Sequence, residues 1–268
     1  MLEGINLQTL VVMDAGTGAA NTTFWLAQKL KVVSGSEIIS IDHDSEIFPG
    51  AKKKLGELTK PVDFVTADLT CLPIKNGSIN LIVCHATICA INDRPLKAVK
   101  ALSEFFRVIK KGGWLLIDDE YPLPKALTSK EEVQVKRWQT YKALAELIEG
   151  EHYTEIYPEE LEFAAKFTGF KNIEWKKFEG APLSEEAMNE WSEVISKMIH
   201  KINDKELKAA FRKVVNRIWE DHQNHGGGIS SLLCDANEKV IHRYQCFLRG
   251  YAILLTLDLV KHSKALYI

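Results

Sequence analysis

The sequence predicts an α/β protein built on a doubly wound, mostly parallel sheet, and three observations carry that prediction. Apolar runs of strand length recur through the first 120 residues, and they are nearly continuous rather than alternating, as parallel strands covered on both faces require. Stretches of helical periodicity separate them, so strand, helix, strand repeats as βαβ units. Acidic residues stand at the carboxyl ends of most runs, which is where open parallel sheets bind their ligands.

Taken in order, the strands are Leu10–Met13, Ile38–Ile41, Val62–Val65, Leu81–Cys84 and Trp114–Ile117. Asn21 and Thr22 can cap a first helix that carries Phe24, Ala27 and Leu30. Ser45 can cap a second, which Pro49 and Gly56 punctuate. The clearest helix runs from Pro95 to Lys110. Asp93 precedes it, Pro95 suits its first turn, and Leu96, Val99, Leu102, Phe106 and Ile109 share a face. Lys110-Lys111 and then Gly112-Gly113 end it, and Asn76-Gly77 marks a turn before the fourth strand. In the second half, residues 125–149 and 184–223 read as amphipathic helices, with a sixth strand at Asn172–Phe178 and a seventh at Tyr251–Leu257. The expected organisation is a core of residues 1–180 plus 229–268. Residues 181–228 form a helical insertion in it, acting as a cap or as the surface of a homodimer.

The 268 residues hold 34 Lys plus Arg against 36 Asp plus Glu, a net charge of −2. That balance argues against a surface built to grip nucleic acid or anionic lipid. Five cysteines (71, 84, 89, 234 and 246) form no C-x-x-C, which argues against a disulfide framework or a structural zinc and for a reducing compartment. No apolar run reaches the roughly 18 residues that span a bilayer, and Met1–Gln8 carries no signal-peptide pattern. The expectation is a soluble cytoplasmic protein.

Read along the sheet, the strand ends offer Asp14, then Asp42 and Asp44, then Asp68, then Asp118, Asp119 and Glu120, with only the fourth ending in Cys84-His85. A row of carboxylates repels a phosphate-bearing ligand and suits one with cationic groups and free hydroxyls. S-adenosylmethionine (SAM) is such a ligand, with a sulfonium, an ammonium, a ribose diol and an exocyclic amine. The first strand–helix turn reads Asp14-Ala15-Gly16-Thr17-Gly18-Ala19-Ala20-Asn21, with glycines that let backbone approach a ligand. Asn21 stands where a dinucleotide fingerprint wants Gly or Ala, and the chain contains no G-x-x-x-x-G-K-S/T phosphate loop.

From about Leu10 to Glu120 the chain resembles a class I SAM-dependent methyltransferase, closest in pattern to small-molecule enzymes of the ubiquinone/menaquinone-biosynthesis type. The family's D-x-G-x-G-x-G appears as Asp14 to Ala20, with Ala20 for the third glycine. Ile39-Ser40-Ile41-Asp42 supplies the acid that ends strand two, and Ala67-Asp68-Leu69-Thr70-Cys71-Leu72-Pro73 matches D-x-x-x-L-P. Ile79-Asn80-Leu81-Ile82 stands for F-D-L-V with Asn80 in place of Asp, a position that shapes the loop before strand four. Arg107-Val108-Ile109-Lys110-Lys111-Gly112-Gly113 stands for R-V-L-K-P-G-G. The resemblance implies a Rossmann-like sheet of seven strands and SAM as cofactor. It implies that Gly16, Thr17 and Gly18 pack against the methionine part of SAM, with Asp14 near its ammonium. Asp42 would take the ribose hydroxyls, His43 would lie beside the adenine, Asp68 would accept from its amine, the Leu69 amide would donate to the ring, and His85 would line the pocket under the sulfonium.

Bland readings stand beside these. Asp42 and Asp68 can be turn caps. Asp119 and Glu120, just past strand five, are candidate catalytic groups or a solvated loop. His222 and His225 can converge on a metal, but a polar helix end before Gly226-Gly227-Gly228 explains them equally, and no metal is assigned. The cysteines read as core residues. Tyr121, Trp138, Tyr141, Tyr153, Tyr157, Trp191 and Trp219 offer an apolar acceptor pocket or ordinary packing. The leading expectation is methyl transfer to a small-molecule acceptor. Methylation of protein or RNA, and a catalytically silent SAM- or partner-binding module, are the alternatives.

Overall fold

The computed structural model describes residues 10–30, 35–94, 96–122, 125–177 and 182–227, and the backbone of 250–256. The expectations for Met1–Gln8, Pro95, Phe178, Gly228, Cys234, Cys246 and Leu257 lie outside the described residues. In chain order the elements are β1 (Val11–Ala15), α1 (Asn21–Leu30), β2 (Glu37–Asp42), α2 (Phe48–Leu55), β3 (Val62–Thr66), β4 (Ile79–His85), α3 (Ile88–Ile91), α4 (Lys97–Val108) and β5 (Ile109–Glu120). There follow α5 (Ser129–Glu149), α6 (Pro158–Thr168), β6 (Lys171–Lys177), α7 (Glu185–Lys201), α8 (Lys205–His225) and β7 (Gly250–Thr256).

Five strands pair in parallel in the order β3-β2-β1-β4-β5. On the far side of β5 the strand order continues with β7 and then β6. The order turns back at β1, which pairs with β2 on one side and β4 on the other. In an open sheet that reversal leaves a crevice beyond the carboxyl ends of the two central strands. The near-continuous apolar runs are buried as expected: Val12, Met13, Ile38, Ile41, Ile82 and Cys84 all lie in the core. One side of the sheet is covered by Leu26, Ala27 and Leu30 of α1 with Ala51 and Leu55 of α2. On α4 the buried stripe is Ala98, Ala101, Leu102, Phe105 and Val108; of the expected face only Leu102 is in it, since Leu96 precedes the helix and is exposed and Ile109 begins β5.

Two more local expectations change. Asp44, not Ser45, caps the turn before α2, because its carboxylate accepts from the Glu46 amide at 2.8 Å. Lys110 to Gly113 do not merely end a helix; they belong to β5. There β4 advances from Ile79 to Leu81 while β5 advances from Ile109 to Trp114, and the surplus forms a bulge with Gly112 at φ +78°. Gly113 admits no side chain, since a Cβ would come within 2.9 Å of the Asn80 carbonyl.

The chain divides into two compact units. One holds the sheet, with residues 1–120, 155–176 and 251–268. The other is helical, with 121–154 and 177–250. The helical unit holds α5, α7 and α8. Its core joins Leu144 and Ala145 of α5 to Ile195, Met198 and Ile199 of α7, with Phe211 and Val215 of α8 against them. Thr128 and Glu131 form a reciprocal capping box at the start of α5, and Ser184 and Asp204 cap α7 and α8. Three aromatic residues of this unit, Trp138, Tyr141 and Tyr153, pack on one another. Trp138 stacks on Tyr141 at 5.5 Å, Tyr153 meets both edge-on, and Trp219 donates to Ser192 at 2.6 Å.

Candidate active site

At the end of β1 the chain must turn sharply to enter α1. Gly16 (φ +99°) and Gly18 (φ +45°) take left-handed conformations that glycine adopts freely, and Ala20 (φ +57°) takes one that strains it. Gly16 has a second reason to lack a side chain. A Cβ there would sit 2.2 Å from the hydroxyl of Thr87, which follows β4, so the turns after the two central strands are packed together. Around Gly18 a Cβ would meet nothing within 4 Å, which leaves that part of the loop open. The amides of Gly16 and Thr17 both donate to the Ile41 carbonyl at 2.9 Å, and that of Gly18 donates to Asp42 at 3.0 Å.

Asp14 is fully buried beneath this loop. Thr23 donates to one of its oxygens at 2.5 Å, while the other meets no hydrogen-bond partner among the described residues. Each hydroxyl has one proton, and this fixes the direction of the chain behind Asp14. Thr23 gives its proton to Asp14, so it must accept from Ser40, 2.9 Å away. Ser40 in turn must accept from Thr17, 2.7 Å away. Thr17, in the glycine loop, is therefore the first of three buried hydroxyls that lead to a carboxylate. Burial pushes the Asp14 carboxyl up to about 7, against the opposing effects of the Thr23 hydrogen bond and the nearby His85.

The other expected residues gather at the same edge. Asp42 ends β2, accepts from Gly18 and from the Asp44 amide at 3.1 Å, and lies 3.2 Å from the His43 imidazole, which is 78% exposed. Asp68 is exposed beyond β3, with Leu69 buried behind it. Its slight burial works to raise the carboxyl, but the Thr70 amide and hydroxyl, with Lys97 and His43, bring it below the ordinary range. His85 ends β4 and its Nδ1 lies 3.1 Å from Asp118 on the neighbouring strand, in register with it.

The acids of β5 do not act as one cluster. The strand runs through Glu120, so successive side chains point to opposite faces, and Asp119 turns away from Asp118 and Glu120. Asp119 is buried, and its oxygens accept from the amides of Cys89, at 2.9 Å, and Glu120, at 2.8 Å. Burial raises its carboxyl and, with Asp119 beside them, burial also raises the thiols of Cys84 and Cys89 well above the usual range. Those two cysteines are core residues, whereas Cys71 is exposed. Asn80 is structural: its Oδ1 accepts from the Val11 amide at 3.0 Å and from Lys110 at 2.9 Å. His222 is buried in α8, and among the described residues no group of three or more His, Cys, Asp or Glu could hold a metal ion. Among the described residues no helix is long and apolar enough to cross a membrane.

Several residues here carried no assignment in the sequence. Ser40 had a signal, since it is the one polar residue inside the run Ile38–Ile41. Thr23 had a weaker one, as it shares a helical face with Ala27 and Leu30. Arg107 was visible as a motif letter without a task. In the structure its guanidinium donates to the carbonyls of Leu72 and Ile74, to Asn76 and to Glu104, clamping the loop that follows Asp68 and Leu69.

The donor set fits SAM. It offers carboxylates for cations and hydroxyls, a buried oxygen without a partner, an open glycine loop and no phosphate cradle. The fold is shared with solved structures at low identity. YcgJ from Bacillus subtilis is 17% identical, with 93% of each chain covered and a TM-score of 0.54. The cyclase SpnF is 17% identical, with 92% of this chain and 73% of that one covered and a TM-score of 0.53. A phosphoethanolamine N-methyltransferase of Haemonchus contortus, solved with S-adenosyl-L-methionine, is 16% identical, with 94% and 49% covered and a TM-score of 0.52. No curated protein matches the chain. The model of a methyltransferase domain matches residues 7–179, which include the whole of the edge just described. The chain therefore belongs to the methyltransferase domain family, and it is a SAM-dependent methyltransferase.

Proposed function

We propose that this protein transfers the methyl group of SAM to a small-molecule acceptor at the carboxyl edge of β1 and β4. The observation that carries the proposal is Asp14, a buried carboxylate with one oxygen lacking a partner, directly under an open glycine loop and beside Asp42. An uncompensated buried acid is costly, and a bound ammonium would offset that cost. On this reading Gly16, Thr17 and Gly18 pack against the methionine part of SAM, and Asp42 accepts from the ribose diol. His43 lies beside the adenine, Asp68 and the Leu69 amide hold its edge, and His85 lines the wall under the sulfonium. SAM supplies an activated methyl group whose leaving group is a neutral thioether. The chain has only to exclude water and hold the acceptor close and collinear. We assign Asp119 a positioning role at the start of α3 and place Glu120 on the acceptor side. We also read the sheet as the seven-stranded form of this class, and residues 122–160 and 181–228 as the source of acceptor specificity.

Calorimetric titration with SAM, S-adenosylhomocysteine and NAD, on wild type and Asp42→Ala, tests the cofactor assignment. Micromolar binding of the first two, at least tenfold weaker in the variant and absent for NAD, is the expected result. A folded protein that binds neither would replace the proposal with a partner-binding module. Release of S-adenosylhomocysteine when small-molecule pools are supplied, and not with bulk protein or RNA, tests the acceptor class.

A further inference from the structure

The glycine loop does not hold its shape by its one internal hydrogen bond alone. Three of its five residues, Gly16, Gly18 and Ala20, lie in the left-handed region, and glycine-containing chain of this kind samples many conformations when untied. Its first half is tied to β2, through the Ile41 carbonyl and the Asp42 carboxylate. Its second half has one bond of its own, from the Ala20 amide to the Thr17 carbonyl at 2.7 Å, and is tied from outside the loop as well. Lys54, in the last turn of α2, donates through Nζ to the Ala19 carbonyl at 2.9 Å and to Oδ1 of Asn21. That contact occupies Asn21, which with Thr22 is one of the two residues the sequence offers as a cap for α1.

Stabilising α1 does not explain this lysine. A cation at a helix N-terminus opposes the helix dipole, and ordering a long, exposed side chain has an entropic cost. What the contact does fix is the Ala19 carbonyl, and with it the Ala19–Ala20 peptide, one residue beyond the open position at Gly18. We infer that Lys54 is a positioning residue for cofactor binding. It pins the second half of the loop from α2, as Asp42 pins the first half from β2, so that the Thr17–Ala19 backbone is already shaped for the methionine part of SAM. The inference rests on the proposed cofactor site.

The experiment is calorimetric titration of S-adenosylhomocysteine into wild type, Lys54→Met, Lys54→Arg and Lys53→Met, with the melting temperature of each unliganded protein. Lys53 is exposed in the same run of lysines and controls for net charge. Lys54→Met is expected to weaken binding about five- to tenfold, as loss of a charge-assisted contact does, with its melting temperature within about 1 °C of wild type. Lys54→Arg should restore binding to within about twofold, since guanidinium keeps both charge and donors, and Lys53→Met should bind as wild type. Wild-type affinity in Lys54→Met would overturn the inference, as would equal weakening in Lys53→Met. A melting temperature that falls in step with affinity, without rescue by Arg, would overturn it too by reducing Lys54 to a stability role. Wild type that fails to bind S-adenosylhomocysteine is a separate outcome, which removes the cofactor site and the inference together.

Discussion

Asp14 shows how a single residue joins stability to ligand chemistry. Its carboxyl ionises near 7 in the folded protein and near 4 in the unfolded chain, so the folded state holds the proton more tightly. The stability this confers is complete below about pH 4 and is lost as pH rises through about 7, on the order of 4 kcal/mol in all. Asp14→Asn keeps an acceptor for Thr23 and cannot ionise. Urea unfolding between pH 4 and pH 8 is expected to show wild type losing stability relative to this variant. Parallel profiles would mean that Asp14 stays protonated or is already neutralised. Asp14 itself was legible as the acid before the glycines. The hydroxyl chain behind it was not, because Thr17, Ser40 and Thr23 come from three elements that only the folded sheet brings within 3 Å.

At the scale of elements, the strands could be read and their ends could not. Trp114–Ile117 was evident, but Lys110-Lys111-Gly112-Gly113 has the composition of a helix stop. Only the pairing of Ile109 with Ile79 makes it the start of β5. The same error at the other end put Asp118, Asp119 and Glu120 past the strand, and so treated as one cluster what the pleat divides. Arg107 ties two motifs that looked separate. Glu104 accepts from the Leu72 amide at 2.7 Å and from Arg107, whose charge and hydrogen bond hold the Glu104 carboxyl below its usual range. Arg107→Met should therefore cost about 1–3 kcal/mol in urea unfolding and weaken SAM binding as well, because the carbonyls of Leu72 and Ile74 lose their donor. Lost stability with unchanged SAM affinity would show that the clamp does not reach Asp68 and Leu69.

At the scale of the whole molecule, the family and the edge of the sheet were legible because strand ends announce themselves by acids and glycines. The extent of the helical unit was not. An amphipathic helix such as α5 shows which face it buries but not against what; in the structure Leu144 and Ala145 lie among side chains of α7. Two units with separate cores should melt in two calorimetric transitions, with saturating SAM raising only that of the sheet unit, by several degrees. One transition, shifted as a whole, would mean that the units unfold together. The Arg107 clamp also sets an order of events during synthesis. By the time Ile74 leaves the ribosome, every residue assigned to the adenosine and methionine parts of SAM except His85 has been made. Yet the Leu72 carbonyl must wait for an arginine 35 residues downstream. If Arg107→Met weakens SAM binding as expected, a nascent chain becomes competent to hold its cofactor only after α4 has been translated and docked.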